Sequence, residues 1–389
     1  LSPWLAILTF TILLVVKLSN PYLVDATRLK FYDYLMLGET VKSEQIVVAN
    51  IGEGAIEKYG QWPFPRDVHA KIISDLYGSG AVLVGSTVLM PDADRFGTDK
   101  VFADALARYP VILSQTVTSD CSASRKDQTI RRTGVALIGD GPPTDFLPVY
   151  PCVLSNIPAL QEAAAGVGVT STLPEADGVV RRVPLLAQSS GEYYPAFALE
   201  MLRVAAGDPS YQAKINQTGV EALRVPQFDT IKTDEYGRVF VNPNYKFPTY
   251  EIGEGPLPDL TGKIVILGVS AAGLSNPVAT PAGGVFPHEM QASLLETLLN
   301  GDSVSIPNWT GLVDLASFII LAIALIVVSR LRYSLVYIAI LLGAYAYLPV
   351  YLFASKGILL DVTFNILAIA VIYMHVYPCL LYTSPSPRD

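Results

Sequence analysis

Two short segments of the chain combine residue types that bind ligands. Gln61–Arg66 reads QWPFPR, in which two prolines stiffen an aromatic turn that ends on an arginine. Asp177–Pro184 reads DGVVRRVP, a turn followed by paired arginines on a strand edge. The candidate ligand-binding residues of these two regions are Trp62, Arg66, His69, Asp177 and Arg181. An equally strong alternative is structural, with Trp62 covering a sheet edge and Arg181 paired with an internal acid.

Groups that could catalyse a reaction are sparse. Gly268–Gly273 follows an apolar run and has the outer glycines of a phosphate-binding loop, but Leu274 stands where that loop requires lysine. The chain lacks a GxSxG nucleophile motif. Its three histidines, His69, His288 and His375, do not make a zinc site without added carboxylates. We therefore expect no cofactor, no metal and no enzymatic activity on this chain.

Composition points to a membrane protein. Of 389 residues 51% are hydrophobic and only 16% are charged, against about a quarter in an ordinary soluble domain. The net charge of −8 argues against a nucleic-acid partner, because such proteins carry a basic face. The apolar excess lies at the two ends of the chain, where it predicts helices that contact membrane lipid.

Four transmembrane helices are predicted from these apolar runs, each judged against the roughly 20 residues that a span needs. They cover residues 1–18, 311–328, 333–353 and 357–377. The first is short and begins with Leu1 rather than Met, so we expect it to be cropped. A cleaved signal peptide is the alternative, but no small-residue cleavage site follows.

The short loops predict the orientation of these spans. Arg330 and Arg332 fill the turn between the second and third runs, which the positive-inside rule assigns to the cytoplasm. Residues 19–308 then lie outside and both chain ends lie inside. The expected location is the inner membrane, as a multi-pass protein with a large periplasmic domain. In such a compartment Cys121 and Cys152 could form a disulfide, although two free thiols remain the alternative.

The outer region reads as an α/β domain. Residues 45–50, 81–84 and 263–268 are short apolar runs typical of buried strands, and helical patterns follow Pro65 and occupy 287–299. Buried strands separated by helices predict a mostly parallel sheet covered on both faces. The polar stretch at 205–250 predicts insertions or hairpins.

Four ordered blocks resemble the CHASE type-two family of extracytoplasmic sensor domains. They are WPFPRDVHA at 62–70, DGVVRRVPL at 177–185, the long stretch at 263–284 and the following helix with Ala292. Their order and spacing match the family across nearly all of 30–305, and the three closing spans match as well. The resemblance implies a sensing module for an unknown small molecule or envelope signal, without assigning binding residues.

In such receptors the sensor precedes a cytoplasmic output domain, often an adenylate or guanylate cyclase or a histidine kinase. The resemblance therefore implies a receptor that acts as a homodimer. Residues 378–389 close on CLLYTSPSPRD, which resembles translated adapter sequence, so we expect a non-native tail on a fragment whose output domain is missing. Two other functions remain open, a membrane-anchored extracytoplasmic α/β enzyme and a transporter-associated docking domain.

Overall fold

The structure is a computed structural model that describes residues 3–123, 134–307, 309–329, 331 and 333–383. It divides into two compact units. An α/β unit spans Gly38–Ser303. A helical unit is formed by the chain up to Leu37 together with the chain from Val304 onward.

The α/β unit contains seven α-helices, nineteen strands and one 3₁₀ turn within its described residues. The helices are α3 (Glu53–Tyr59), α4 (Arg66–Gly78), α5 (Asp99–Arg108), α6 (Pro143–Phe146), α7 (Pro158–Ala163), α8 (Phe197–Ala205) and α9 (Pro287–Asn300). The strands of the largest sheet are β2 (Ile46–Ile51), β3 (Leu83–Ser86), β4 (Val111–Thr118), β6 (Cys152–Leu154), β7 (Gly166–Val169), β16 (Thr249–Glu251) and β17 (Ile264–Val269). The remaining strands are β1 (Val41–Lys42), β5 (Gly134–Ile138), β8 (Arg182–Pro184), β9 (Leu186–Ser189), β10 (Glu192–Pro195), β11 (Ser210–Asn216), β12 (Gly219–Arg224), β13 (Thr230–Lys232), β14 (Arg238–Phe240), β15 (Tyr245–Lys246), β18 (Val278–Thr280) and β19 (Gly283–Val285).

The central sheet has seven strands in the order β16-β2-β17-β3-β4-β6, with β7 also paired to β4. The pairs on β2, β17 and β3 are parallel, as is β4 with β7, whereas β6 runs antiparallel to β4. Asn50 on β2 lies opposite Gly268 on one side and Glu251 on the other. The carboxyl ends of these strands therefore meet at one edge of the sheet.

The prediction of a mostly parallel sheet is wrong for the domain, because the sheets are mixed. Strands β13, β12 and β11 form an antiparallel run that β5 joins in parallel, and β9 with β10 and β18 with β19 are antiparallel hairpins. Consecutive strands joined by tight turns pair in this way because their connections are too short for a crossover helix. The stretch at 205–250 does form the predicted hairpins.

Two apolar cores cover the two faces of the central sheet. Side chains alternate along a strand, so Ile46 and Val48 belong to one core while Val47 and Ala49 belong to the other. We call the first the α8–α9 core, since both helices pack into it, and the second the α4–α5 core. Burial on both faces explains why these strands are uninterrupted apolar runs in sequence.

A disulfide joins Cys121, at the start of the 3₁₀ turn Cys121–Ala123, to Cys152 on β6, with the Cα atoms 5.5 Å apart. The pairing follows from β6 lying beside β4, because Cys152 is opposite Thr118 in that ladder. The sequence by itself is compatible with both paired and free thiols.

The helical unit holds α1 (Pro3–Ser19), α2 (Tyr22–Met36), α10 (Thr310–Val328), α11 (Ser334–Lys356) and α12 (Thr363–Thr383). In the described part of the chain, α10 and α11 are each long and apolar enough to cross a membrane. A third crossing is counted if Ile7–Ser19 and Tyr22–Met36, bent by 71°, form one broken span. The prediction of four spans therefore stays a prediction.

The last predicted span, at 357–377, begins later than expected. Gly357 adopts a left-handed conformation with φ of 62° and ends α11, and Ile358 then bridges to Ser305. Helix α12 starts only at Thr363, capped by the carboxylate of Asp361, and continues to Thr383. The orientation argument rests on Arg330 and Arg332, which lie outside the described residues.

Candidate functional site

The aromatic turn predicted to bind a ligand folds against the start of α4. Pro65 precedes the first residue of that helix, and the Trp62–Pro63 peptide bond is cis. The Trp62 ring lies edge-on to Phe64 at 5.1 Å and to His69 at 5.8 Å between centroids. Phe64 is buried, so Trp62 covers the margin of the α4–α5 core.

His69 is the inner member of this aromatic group. It is 2% exposed and also contacts Phe102 of α5, with 5.9 Å between ring centroids. Burial, reinforced by the nearby Arg66 charge and opposed by Asp94, lowers the pKa of His69 to about 3. Its Nε2 atom has no hydrogen-bond partner among the described residues. His69 is therefore a neutral, packed ring.

Arg66 joins α4 to the loop that leads into α5. Its Nη2 atom donates to the Asp92 carbonyl at 3.1 Å, and its Nε atom lies 3.5 Å from the Asp99 carboxylate. Its backbone N–H donates to the Asp94 carboxylate at 3.4 Å, and that carboxylate also accepts from the Thr98 backbone N–H. The guanidinium is mostly buried, which makes Arg66 an internal tether between two helices.

A cavity of about 180 Å³ adjoins the aromatic group. It lies between the end of α3, the middle of α4 and the loop after β16, and Tyr59 in its wall is 5.8 Å from the Phe64 ring. Its lining comprises Lys58, Tyr59, Ile72, Asp75, Tyr250, Ile252, Gly253, Gly255 and Leu257. The cavity volume is below the roughly 300 Å³ of drug-sized pockets, so a ligand bound there would be small. The two phenol rings, one cation and one carboxylate of the lining suit a polar ligand.

Asp177 and Arg181 form a buried, bidentate ion pair on the other side of the sheet. The Arg181 guanidinium donates to both Asp177 carboxylate oxygens, at 2.9 and 2.7 Å, and its side chain has no exposed surface. The neighbouring Val180 and Val183 belong to the α8–α9 core. Arg181 thus pairs with an internal acid, the alternative that the sequence left open.

The five predicted residues therefore fall into two groups rather than one site. Trp62, Arg66 and His69 surround the start of α4, whereas Asp177 and Arg181 brace the turn before β8 against the opposite core. Their ligand-binding role stays a prediction.

Sequence reasoning missed a hydrogen-bonded chain at the carboxyl edge of the central sheet. Asn50 donates from Nδ2 to the Glu251 carboxylate at 2.7 Å and accepts at Oδ1 from His288 Nε2 at 2.7 Å. An amide oxygen can only accept, so the proton sits on His288 Nε2. Burial lowers the pKa of His288 to about 4, which keeps the ring neutral.

One sequence signal could have found this chain. Asn50 closes an otherwise apolar strand, and polar residues at the carboxyl ends of parallel strands meet at the edge where α/β proteins bind ligands. His288 lies at the start of the helix that the sequence predicts over 287–299, and α9 does begin at Pro287, with the Glu289 carboxylate accepting from the Phe286 backbone N–H at 2.8 Å.

Within the described ranges, no three His, Cys, Asp or Glu side chains are grouped as the ligands of a metal ion would be.

A family model described as the CHASE2 domain matches residues 6–329. No curated protein and no solved structure matches the chain. The family match covers the whole α/β unit and, on its two sides, most of α1 and all of α2 and α10.

Proposed function

The chain belongs to the CHASE2 domain family, extracytoplasmic sensor domains of bacterial receptors, and we propose that it is the sensing part of a membrane-bound receptor. In this proposal the α/β unit detects a small molecule or envelope signal. The helices on both sides relay that event to a cytoplasmic output domain, a class III nucleotide cyclase or a kinase. The observation that carries the proposal is the extent of the family match, which includes helices on either side of the α/β unit.

The proposal places the chain in the inner membrane as a multi-pass protein. The apolar helices α10 and α11 support this placement, since each is long enough to cross a bilayer. We further propose a homodimer, because cyclase and kinase output domains work in pairs.

The cavity beside Tyr59 supports detection of a small molecule. A ligand can switch a receptor only if it binds one arrangement better than the other, and a tenfold bias needs about 1.4 kcal/mol of differential affinity. Screening for compounds that raise the melting temperature of the full chain would identify ligands of the folded protein. Leu257→Trp fills the cavity with a larger side chain. A compound that raises the melting temperature of this variant as much as that of the wild type would bind elsewhere.

The experiment that tests the receptor proposal is a long sequencing read through the 3′ end of the gene, past the codon for Tyr377. We expect the reading frame to continue into a cyclase or kinase domain. A genuine stop codon within a few residues would instead leave a stand-alone sensor or docking protein, and the relay to an output domain on the same chain would be wrong.

A further inference from the structure

A buried polar network joins four helices of the helical unit. Lys17 near the end of α1 donates from Nζ to the Asp314 carboxylate of α10 at 2.6 Å and to Asn365 Oδ1 of α12 at 2.8 Å. Asn365 Nδ2 in turn donates to the Asp314 carboxylate at 2.9 Å. It also lies 2.8 Å from the Tyr345 hydroxyl of α11, which is 2.7 Å from Ser317 of α10.

The network is enclosed by apolar side chains. Asn365 has no exposed surface, and the side chains of Lys17 and Asp314 are 8% and 23% exposed. The Lys17 ammonium lies 5.2 Å from the Phe364 ring and 5.8 Å from the Phe318 ring, where it gains a cation–π attraction. Separating such a pair strands a charge among apolar groups, which costs far more than separating a pair in water.

A buried polar contact of this kind fixes one axial register of α1 against α10 and α12, where apolar contacts alone would permit several. Beside this contact the described seam contains apolar side chains that could pack in more than one register, such as the stacked rings of Phe10 and Phe318. Sliding α1 by one turn would keep apolar contact but would take Lys17 away from both acceptors, in the way that one buried polar residue fixes the register of a coiled coil.

Chain connectivity gives this contact its importance. The α/β unit is inserted between Leu37 and Val304, so the chain enters it by the segment that follows α1 and α2 and leaves it by the segment that precedes α10. Lys17 and Asp314 link the helices that belong to these two connections. A change in the spacing or rotation of one connection that reaches α1 or α10 is therefore either carried by this contact or breaks it.

We propose that Lys17, Asp314 and Asn365 form an interhelical clamp that fixes the register of α1 against α10 and α12 and couples the two connections of the α/β unit. The clamp itself is independent of the proposed function, whereas its use in relaying a signal rests on that function. Lys17 and Asp314 are positioning residues in this proposal, and neither needs to contact a ligand.

The test is hydrogen–deuterium exchange on the full chain in lipid bilayers, without any ligand. Lys17→Met and Asp314→Asn each remove one charge of the clamp. We expect exchange at α1, and at the first turns of α12, to become roughly three- to twentyfold faster, the range that interhelical polar contacts in membranes reach. Lys356→Met, which removes an exposed charge at the end of α11, is the matched control and should leave α1 and α12 unchanged.

The charge-swapped double variant Lys17→Asp with Asp314→Lys separates pairing from a general loss of structure. The swap keeps one charge of each sign between α1 and α10, and the combined length of the two side chains is unchanged, so slow exchange should return. The clamp is wrong if the single variants behave like Lys356→Met, or if the swapped variant exchanges as fast as the single variants. Neither result bears on whether the α/β unit senses a ligand, so the two proposals fail separately.

Discussion

At the scale of single residues, burial decides the chemistry of the α/β unit's two histidines. His69 and His288 are each almost fully enclosed, and the pKa of each is lowered, to about 3 and about 4. They differ in their partners, since His288 donates to Asn50 whereas His69 packs among aromatic rings. A neutral buried ring makes stability depend on pH, because only the unfolded chain takes up the proton.

We predict that His69→Phe makes the free energy of unfolding less dependent on pH. Above the ordinary pKa of 6.5, His69 is neutral in both states and contributes no pH dependence. Between pH 6.5 and about 3, only the unfolded chain is protonated there, so stability falls as pH falls. From pH 7 to 5 the wild type should lose about 2 kcal/mol more than the variant.

Urea unfolding in detergent at the two pH values measures this difference. Phenylalanine suits the aromatic surroundings and removes an Nε2 atom without a hydrogen-bond partner among the described residues, so the variant should be no less stable at pH 7. Equal losses in the two proteins would show that His69 is protonated in the folded state.

At the scale of elements, glycines on one face of the central sheet set how closely its helices approach. A Cβ atom on Gly268 would lie 2.2 Å from Cγ of His288, and one on Gly168 would lie 2.4 Å from the Phe197 Cα. His288 and Phe197 stand in the first turns of α9 and α8. Both helices therefore rest directly on the backbone of β17 and β7 at these positions.

Gly268→Ala should destabilise the α/β unit by roughly 1–3 kcal/mol, the usual cost of forcing one extra carbon into a packed core. The added methyl must displace the His288 ring and so weaken its hydrogen bond to Asn50. Urea unfolding of the full chain measures the loss. Gly78→Ala is the matched control, because a Cβ there meets no atom within 4 Å at the exposed end of α4. A Gly268→Ala protein as stable as that control would contradict the contact.

At the scale of the whole molecule, the α/β unit is an insertion between the helices of the helical unit. Both of its ends return to the helical unit, which in the proposed function anchors the α/β unit in the membrane. Short charged loops between spans determine which side of the membrane each unit occupies. The proposed location therefore predicts on which side of the membrane each loop lies.

We predict that a reporter enzyme active only outside the cytoplasm is active when fused after Gly191, in the β9–β10 turn, and inactive when fused after Leu331, between α10 and α11. The reason is that the turn holding Arg330 and Arg332 should stay in the cytoplasm. A reporter that folds only in the cytoplasm, fused at the same two positions, is the control and should give the reverse pattern. Activity of the first reporter at both positions would contradict the proposed orientation.

Much of the fold could be predicted because its signals are local. The strand at Ile46–Ile51, the helix after Pro65 and the helix from Pro287 are each encoded by apolar periodicity and by helix-start residues a few positions apart, and the structure confirms them. The apolar runs that became α10 and α11 are equally plain in the sequence. The family resemblance was confirmed as well, because its motifs are contiguous blocks of residues.

Only the tertiary structure decided the pairings between residues that lie far apart in the chain. Spacing could not show that Lys17 meets Asp314 and Asn365, or that Asn50 meets His288. The tertiary structure also decided which strands run antiparallel, because strands with short connections pair as hairpins and strands with long connections can pair through crossovers. The physical reason is common to all of these cases, since burial, hydrogen bonding and pKa depend on neighbours in space, whereas sequence patterns report only neighbours along the chain.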